Sequence, residues 1–179
     1  RSALNMPAVR AWRAPVAIAL AVIALDQLTK HWAVTSLGTD REIDLFWTLR
    51  LTRAFNNGRA FGQGQGFGPV IAVIATVVIV YLLVSLQTEA SPMGTIGMGL
   101  LIGGAAGNLI DRLFRGDDGF LQGGVVDFID LQWFPIFNIA DIAINVGAVL
   151  LIINSIVTAR THPRDDSTEP VADDAGSST

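Results

Sequence analysis

The chain has 179 residues, which is enough for one domain. Hydrophobic residues make up 51% of it and charged residues only 16%, against about 25% charged in ordinary soluble domains. Cysteine is absent, which excludes a disulfide framework, a thiolate metal site and a cysteine nucleophile. Most of the net charge of −4 comes from residues 160–179, with two basic and five acidic side chains. The rest is nearly neutral and gives no indication of nucleic-acid binding.

Four segments are long and apolar enough to cross a bilayer, which takes about 20 residues. They cover approximately residues 14–37, 69–86, 93–113 and 137–157. We therefore expect an all-α integral membrane protein with four transmembrane helices. Residues 1–159 are expected to form a single membrane-embedded domain. Residues 160–179 are rich in Pro, Asp, Ser and Thr and are expected to be a disordered tail.

The orientation in the membrane follows from the charges beside the spans. Four spans place both termini on one side, and arginines lie before the first span and after the fourth. Positive charge favours the cytoplasmic side, so we expect both termini in the cytoplasm. The pattern is not uniform, because the predicted outer loop at residues 38–67 carries four arginines as well.

A polar stretch between the first two spans has strand-like character. Residues 42–52 alternate between apolar and polar side chains, which predicts short strands, and Asn57-Gly58 is a turn signal. This predicts a small extracytoplasmic β element on the membrane surface. Residues 116–124 are expected to form a second outer loop or short helix.

Carboxylates lie within or next to three of the four predicted spans. A charged side chain inside a bilayer costs about 2.5–3.5 kcal/mol on insertion scales, so such residues indicate a functional site. Asp26, Asp111 and Asp141 lie in spans, and Asp127 lies in the predicted loop before the fourth. Antiparallel spans would bring all four to one depth, near the outer leaflet.

Helix spacing places further polar groups beside these acids. Asn108 shares a face with Asp111, three residues away, and Asn138 and Asn145 flank Asp141 at helical spacing. A polar stripe in an apolar span must face protein or trapped water. The small residues at 103–107 let another helix backbone approach closely. We therefore expect a tight bundle with a polar pocket at one end.

The available residue types restrict the chemistry of that pocket. His162 lies in the tail, which leaves His31, and neither a nucleophile elbow nor an H-E-x-x-H zinc motif is present. Two adjacent carboxylates share a proton, so that one can activate water while the other protonates a carbonyl. This chemistry requires no metal and no cofactor.

Other interpretations remain open from the residues alone. Asp26 and Lys30 could form only a structural ion pair, Asn138 could be only a helix cap, and Asp130 is expected to be a solvated loop residue. A proton- or ion-coupled transporter would also carry intramembrane acids. A non-catalytic membrane scaffold is the third possibility. The clustering of the acids at one end disfavours transport, which needs a path across the membrane.

Five short motifs, in order, resemble those of lipoprotein signal peptidase (signal peptidase II). They are D-Q-x-[ST]-K at residues 26–30, N-x-G-x-[AS]-F at 56–61, G-G-A-x-G-N-x-x-D-R at 103–112, V-V-D-F at 125–128 and F-N-x-A-D at 137–141. Together they extend over most of the apolar part of the chain. The loop at residues 115–123 looks longer than is usual in that family.

The resemblance implies an aspartyl endopeptidase whose catalytic pair is Asp127 and Asp141. Its substrates would be prolipoproteins carrying diacylglyceryl on the cysteine that follows the cleavage site, and globomycin would inhibit it. We expect a monomer in the bacterial cytoplasmic membrane, with its site toward the outer leaflet. The residues implied to bind substrate or support the site are Asp26, Lys30, Asn56, Gly58, Asn108, Asp111, Arg112, Asn138 and Ala140.

Asp111 is a competing candidate for the catalytic pair. Its position beside Asn108 nominates it over Asp127 on spacing alone, whereas the family pattern favours Asp127. We predict that Asp111 instead pairs with a positive group, Arg112 or Arg53, and orders the pocket.

Overall fold

The computed structural model of the chain describes residues 8–38, 41–58, 67–86, 91–115, 121 and 123–161. Within them, the backbone forms four long helices and three short strands. In chain order these are α1 (Ala8–Ser36), β1 (Ile43–Phe46), β2 (Leu49–Asn56), α2 (Gly68–Ser85), α3 (Pro92–Phe114), β3 (Val125–Asp130) and α4 (Ile139–Thr161). The four long helices lie where the four spans were predicted, and most of their ends agree within two residues.

All four helices are long and apolar enough to cross a membrane. The most apolar is α2, with a mean hydropathy of 2.5, and its valines at 70, 73, 77 and 80 are exposed on the outside of the bundle. Asp26, Lys30 and Asp111 are fully buried instead. Apolar side chains outside and charged ones inside are the arrangement expected when lipid is the solvent. The chain is therefore a multi-pass membrane protein.

Helix α3 packs against each of the other three helices. Its glycines make this possible, because a Cβ atom on Gly103 would lie 2.8 Å from the carbonyl oxygen of Ala19 in α1. A Cβ atom on Gly104 would lie 2.5 Å from the carbonyl oxygen of Ala140 in α4. The prediction that these small residues permit close helix packing is confirmed.

The strands form one antiparallel sheet in the order β1-β2-β3. It packs on the C-terminal end of α1, where Val126 and Phe128 join Ala33 and Leu37 in a buried apolar cluster. The predicted β element is therefore present. The placement of Asp127 in a loop was wrong, because this residue lies in β3 opposite Ala54 of β2.

Asp130 was expected to be solvated, and this was also wrong. Its side chain is buried at the end of β3 and accepts a hydrogen bond of 2.6 Å from Nε of Arg50. Arg50 also forms an ion pair with Glu42. Although desolvation opposes the effect, the hydrogen bonds from Arg50 and the backbone N–H of Gln132 lower the pKa of Asp130. This ionised cluster joins β2 to β3.

Two predicted segments lie mostly outside the described residues. Of the outer loop at residues 116–124, only residues 121, 123 and 124 are described. Helix α4 continues to Thr161, two residues past the predicted end of the domain, and the rest of the predicted tail lies outside the described part.

Candidate active site

The two predicted catalytic carboxylates lie at the end of the bundle that carries the sheet. Strand β3 supplies Asp127, and the first turn of α4 supplies Asp141. Both line one cavity of about 360 Å³, together with Asn56, Asn108 and Arg112. Asp127 is only 4% exposed. The sequence therefore correctly predicts a pocket with carboxylate and amide side chains at one end of the bundle, although most of its wall is apolar.

Asn138 connects the two carboxylates. It caps α4, because its Oδ1 accepts from the backbone N–H of Asp141 at 3.0 Å while its own N–H donates to Asp141 Oδ2 at 3.1 Å. This is the reciprocal arrangement of a capping box. Its Nδ2 donates to Asp127 Oδ1 at 2.7 Å. Asn138 is therefore a helix cap, as one interpretation held, and also a direct partner of both acids.

Asn108 of α3 binds the other side of Asp141. Its Oδ1 accepts from Lys30 Nζ at 2.8 Å and from Asn138 Nδ2 at 3.1 Å. A lysine ammonium can only donate, so these contacts fix the amide oxygen on that side. The amide nitrogen of Asn108 then faces Asp141 and donates to its Oδ1 at 2.9 Å.

Lys30 lies between two buried carboxylates behind the cavity. Its Nζ is 2.8 Å from Asp26 Oδ2 and 2.9 Å from Asp111 Oδ2, and all three side chains are fully buried. Asp26 Oδ1 accepts from the backbone N–H of Ala140 at 3.0 Å. Because Ala140 immediately precedes Asp141, the Asp26–Lys30 pair does more than balance two opposite charges within α1. It also attaches α1 to the start of α4.

Asp111 attaches α3 to β3 in the same way as Asp26 attaches α1 to α4. Its Oδ2 accepts from the backbone N–H of Val126, the residue before Asp127, at 3.2 Å. The prediction that it pairs with a positive group is correct, but the partners named were wrong. The ion pairs of Asp111 are with Lys30 and with Arg115, whose Nε is 2.6 Å from Asp111 Oδ1. Arg115 lies one helical turn after Asp111, so its side chain reaches the carboxylate directly.

A tight turn after β2 places Asn56 against Asp127. Asn56 Oδ1 accepts from the backbone N–H of Gly58 at 3.0 Å, and the Asn56 side chain also hydrogen-bonds to Asp127. Gly58 has a φ of 69°, and a Cβ atom there would lie 2.8 Å from the backbone nitrogen of Gly68. Glycine is therefore required at this position by both conformation and space.

Asp127 is the titratable group most affected by this environment among those outside the helices. Burial disfavours its charged form, the charge of Asp141 adds to that effect, and together they raise the pKa of Asp127 to about 6. Hydrogen bonds from Asn138 and Asn56 oppose the shift. A carboxyl group in this setting keeps its proton at pH values where an exposed aspartate has lost it.

Two polar side chains of this cluster were not predicted as site residues. Gln27 Nε2 donates to Asp111 Oδ1 and to the backbone oxygen of Gly107, and Arg115 holds the same carboxylate. Gln27 lies inside the first motif, and Arg115 follows Asp111 at i+4, so motif position and spacing were available signals. The eleven residues that were predicted all lie in the cavity, directly behind it, or in the turn that borders it. Within the described ranges, no group of three or more His, Asp or Glu side chains is arranged to hold a metal ion.

The family model described as signal peptidase (SPase) II matches residues 18–157. The chain belongs to the signal peptidase II family. This is a family of aspartyl peptidases, so the chain is a hydrolase of that class. Neither this match nor the relatives described next support the transporter alternative.

Proteins named lipoprotein signal peptidase are similar over most of the chain. The protein of Mycobacterium avium is 39% identical over 82% of this chain and 81% of its own length. That of Mycobacterium tuberculosis H37Rv is 40% identical over 85% of this chain and 76% of its own. That of Rhodococcus jostii is 40% identical over 78% and 71%.

Two solved structures, both described as bacterial membrane enzymes determined by the in meso method, are similar in fold. One has a TM-score of 0.71 at 29% identity and covers 87% of this chain and 94% of its own. The other has a TM-score of 0.69 at 32% identity, with 79% and 92% coverage. The overall fold of the chain is thus shared with these two bacterial membrane enzymes.

Proposed function

We propose that this membrane aspartyl endopeptidase removes the signal peptide from diacylglyceryl-modified prolipoproteins, with Asp127 and Asp141 as its catalytic pair. Cleavage falls immediately before the lipid-modified cysteine. The observation that carries the assignment is the convergence of these two carboxylates, from different elements, on one cavity. Asn138 and Asn108 join them through side-chain hydrogen bonds.

In the proposed mechanism the pair holds one proton, on Asp127. Asp141 is assigned the role of base, because it accepts hydrogen bonds from Asn108 and from the backbone N–H of Asn138 in the first turn of α4, where a helix end favours an anion. Asp141 takes a proton from a water molecule, whose oxygen attacks the scissile carbonyl carbon. Asp127 gives its proton to the carbonyl oxygen. When the tetrahedral intermediate collapses, the C–N bond breaks, the leaving nitrogen takes the proton held by Asp141, and a hydroxyl of the intermediate returns a proton to Asp127 as the new carboxyl group forms.

Arg112 is suited to bind the substrate backbone. It lines the cavity, is only 6% exposed, and its Nη1 has no hydrogen-bond partner among the described residues. A buried donor without a partner costs about 1–3 kcal/mol. A carbonyl oxygen of the bound peptide would satisfy it. Arg112 is not needed as an ion-pair partner of Asp111, because Lys30 and Arg115 already form ion pairs with that carboxylate.

The remaining walls of the cavity favour a lipid-modified substrate. They are apolar and come from α2, α3 and α4, including Ile71, Ile74, Leu101 and Ile144. Ile71 and Ile74 are also exposed on the outside of the bundle. The cavity therefore continues into a surface that faces lipid, so that an apolar substrate segment can reach the carboxylates without leaving the bilayer.

We further propose that both termini are cytoplasmic, that the site faces the outer leaflet, and that the enzyme acts as a monomer. Arginines flanking the first and fourth spans support this orientation. Globomycin is expected to occupy the same cavity as the substrate and to block cleavage.

The decisive experiment is a gel-shift cleavage assay in detergent on a purified diacylglyceryl-modified prolipoprotein. It compares the wild-type enzyme with Asp127→Asn and Asp141→Asn, each checked for folding by thermal melting and size-exclusion chromatography. Wild-type cleavage is expected, with loss in both variants, because each removes one of the two carboxyl groups that exchange protons with water and the carbonyl.

Asp111→Asn provides the comparison that separates catalysis from support. It leaves both proposed catalytic carboxylates in place, so it should retain residual cleavage above that of Asp127→Asn. If folded Asp111→Asn were as inactive as Asp127→Asn, the choice of Asp127 would be reopened. If well-folded wild-type protein failed to cleave several lipidated substrates, the proposed function would be wrong.

A further inference from the structure

Arg115 and Gln27 hold the same oxygen atom of Asp111. Arg115 Nε lies 2.6 Å from Asp111 Oδ1, and Gln27 Nε2 donates to that oxygen at 3.2 Å. The two side chains also contact each other, since Arg115 Nη2 donates to Gln27 Oε1 at 3.3 Å. Asp111 is fully buried, whereas Arg115 is about one-quarter exposed. A partly solvated arginine thus anchors a buried carboxylate from the end of α3.

The other oxygen of Asp111 holds the strand that carries Asp127. Asp111 Oδ2 accepts from the backbone N–H of Val126, next to Asp127 in β3. Val126 is fully buried against α1, and neighbouring side chains on a strand point to opposite faces. Fixing the backbone of Val126 therefore fixes the direction in which Asp127 leaves the strand.

The charges behind the cavity are balanced only when Arg115 is included. Asp26 and Asp111 bring two buried carboxylates, and Lys30 and Arg115 bring two cations. The other charged groups facing this cluster are Arg112, Asp127 and Asp141. Without Arg115, the cluster would carry one additional negative charge close to the carboxylate pair.

We propose that Arg115, together with Gln27, is a positioning residue of the peptidase that aims Asp127 through Asp111 and Val126. This inference rests on the proposed function. Arg115 does not line the cavity, so it acts through Asp111 and not on the substrate. It supplies both a geometric constraint and the fourth charge of the buried cluster.

The test uses Arg115→Gln and Arg115→Lys in the full-length enzyme, with kcat and KM measured against pH on a purified diacylglyceryl-modified prolipoprotein. Arg115→Gln should lower kcat by about 10- to 100-fold with KM changed less than about twofold, the size of effect expected from a small misplacement of a reacting group. The alkaline limb of its pH–activity profile should move to higher pH. The negative charge of Asp111, no longer balanced by Arg115, makes the Asp127–Asp141 pair release its proton less readily. Arg115→Lys keeps the charge, so its limb should stay at the wild-type position while kcat recovers in part.

Two further variants keep the proposal testable if Arg115→Gln does not fold. Gln27→Leu removes the hydrogen bond from Gln27 to Asp111 without changing the charge, so kcat should fall and the pH profile should not move. Arg41→Gln is the matched control, since Arg41 is exposed and, among the described residues, its side chain hydrogen-bonds to the backbone oxygen of Ser36 alone. It should behave as wild type.

The outcomes separate this inference from the proposed function. Wild-type kcat and pH profile in a folded Arg115→Gln, or in Gln27→Leu, would overturn the positioning role while leaving the peptidase intact. Equal kcat losses in Arg115→Gln and Arg115→Lys, with no shift in either pH profile, would overturn it too. Failure of the wild-type enzyme to cleave, or full activity of Asp127→Asn, would instead overturn the proposed function.

Discussion

At the scale of single residues, two asparagine side-chain amides bind and connect the carboxylate pair. Asn138 donates to Asp127, accepts from the backbone of Asp141 and donates to Asn108. An amide offers a donor and an acceptor on one planar group, so it can link two acids without adding a charge. This suits a pair that must hold one proton in a buried setting, where an additional cation would favour ionisation of both members.

The raised pKa of Asp127 predicts the alkaline limb of the pH profile. The group is protonated below about pH 6 and loses its proton above it, so kcat/KM should fall as pH rises through that region. In Asn138→Ser one hydrogen bond to ionised Asp127 is lost, so its pKa should rise and the limb should move to higher pH. A serine hydroxyl still caps α4.

Kinetics from pH 4 to 9, with thermal melting at each pH, would check this prediction. The melting data distinguish inactivation from unfolding at the ends of the range. A limb at the same pH in wild type and Asn138→Ser would contradict the assignment of the shared proton to Asp127.

Lys30 is predicted to be the most important single charge for stability. Lys30→Met leaves Asp26 without its ion-pair partner and Asp111 with Arg115 alone as one, and breaking a buried pair in this way costs about 3–5 kcal/mol. The melting temperature in detergent should drop strongly. Adding Asp26→Asn removes the surplus charge and should recover part of the loss. An unchanged melting temperature in Lys30→Met would show that the buried charges do not depend on one another.

At the scale of elements, the four helices could be predicted and the third strand could not. Apolar length is a local property, so it predicts α1 to α4 without knowledge of their neighbours. Strand β3 pairs with β2 some 70 residues earlier, between Asn56 and Val125 at one end. Its β-branched and aromatic residues at 125–129 were the available signal. That local signal does not identify a partner strand so far away in the sequence, so Asp127 was assigned to a loop and Asp130 to solvent.

The partners of Asp111 show a similar limit within a helix. Arg112 follows it in sequence, yet adjacent residues point to different sides of a helix, whereas Arg115 at i+4 shares its face. Lys30 could not be found by spacing, because it comes from α1. The membership of the site was predictable from motifs, but the hydrogen-bond partners within it depend on how three helices pack.

The close approach of α3 and α4 gives a prediction at this scale. Gly104→Ala places a Cβ atom 2.5 Å from the carbonyl oxygen of Ala140, which is too close, so α4 must shift at its start, next to Asp141. Overpacking of this kind costs about 1–3 kcal/mol. Both the melting temperature and kcat should fall.

Gly38→Ala is the matched control for this substitution. A Cβ atom at Gly38 would lie 3.8 Å from Cβ of Arg41, an ordinary contact, so this variant should retain the stability and activity of wild type. If Gly104→Ala were as stable and active as Gly38→Ala, the close packing of α3 and α4 would not be what positions Asp141.

At the scale of the whole molecule, the lack of cysteine offers a direct test of orientation. Single cysteines can be placed at Trp47, 92% exposed at the tip of the β1–β2 hairpin, and at Thr161, exposed at the end of α4. In intact spheroplasts, a membrane-impermeant maleimide should label Trp47→Cys and not Thr161→Cys. Permeabilised cells should give labelling of both. The reverse pattern would place the site on the cytoplasmic side.

The ion pairs within α1 and α3 also bear on how the protein enters the membrane during synthesis. Asp26 and Lys30 lie one turn apart in α1, and Asp111 and Arg115 lie one turn apart in α3. Each of these aspartates therefore already has a counter-ion one turn away when its helix leaves the translocation machinery, before the other helix is available. Asp141 has only amide partners among its described hydrogen bonds, from Asn108 and Asn138. Helix α4, the last of the four described helices, thus brings an acid that depends on a bundle already assembled, which couples completion of the catalytic pair to completion of the fold.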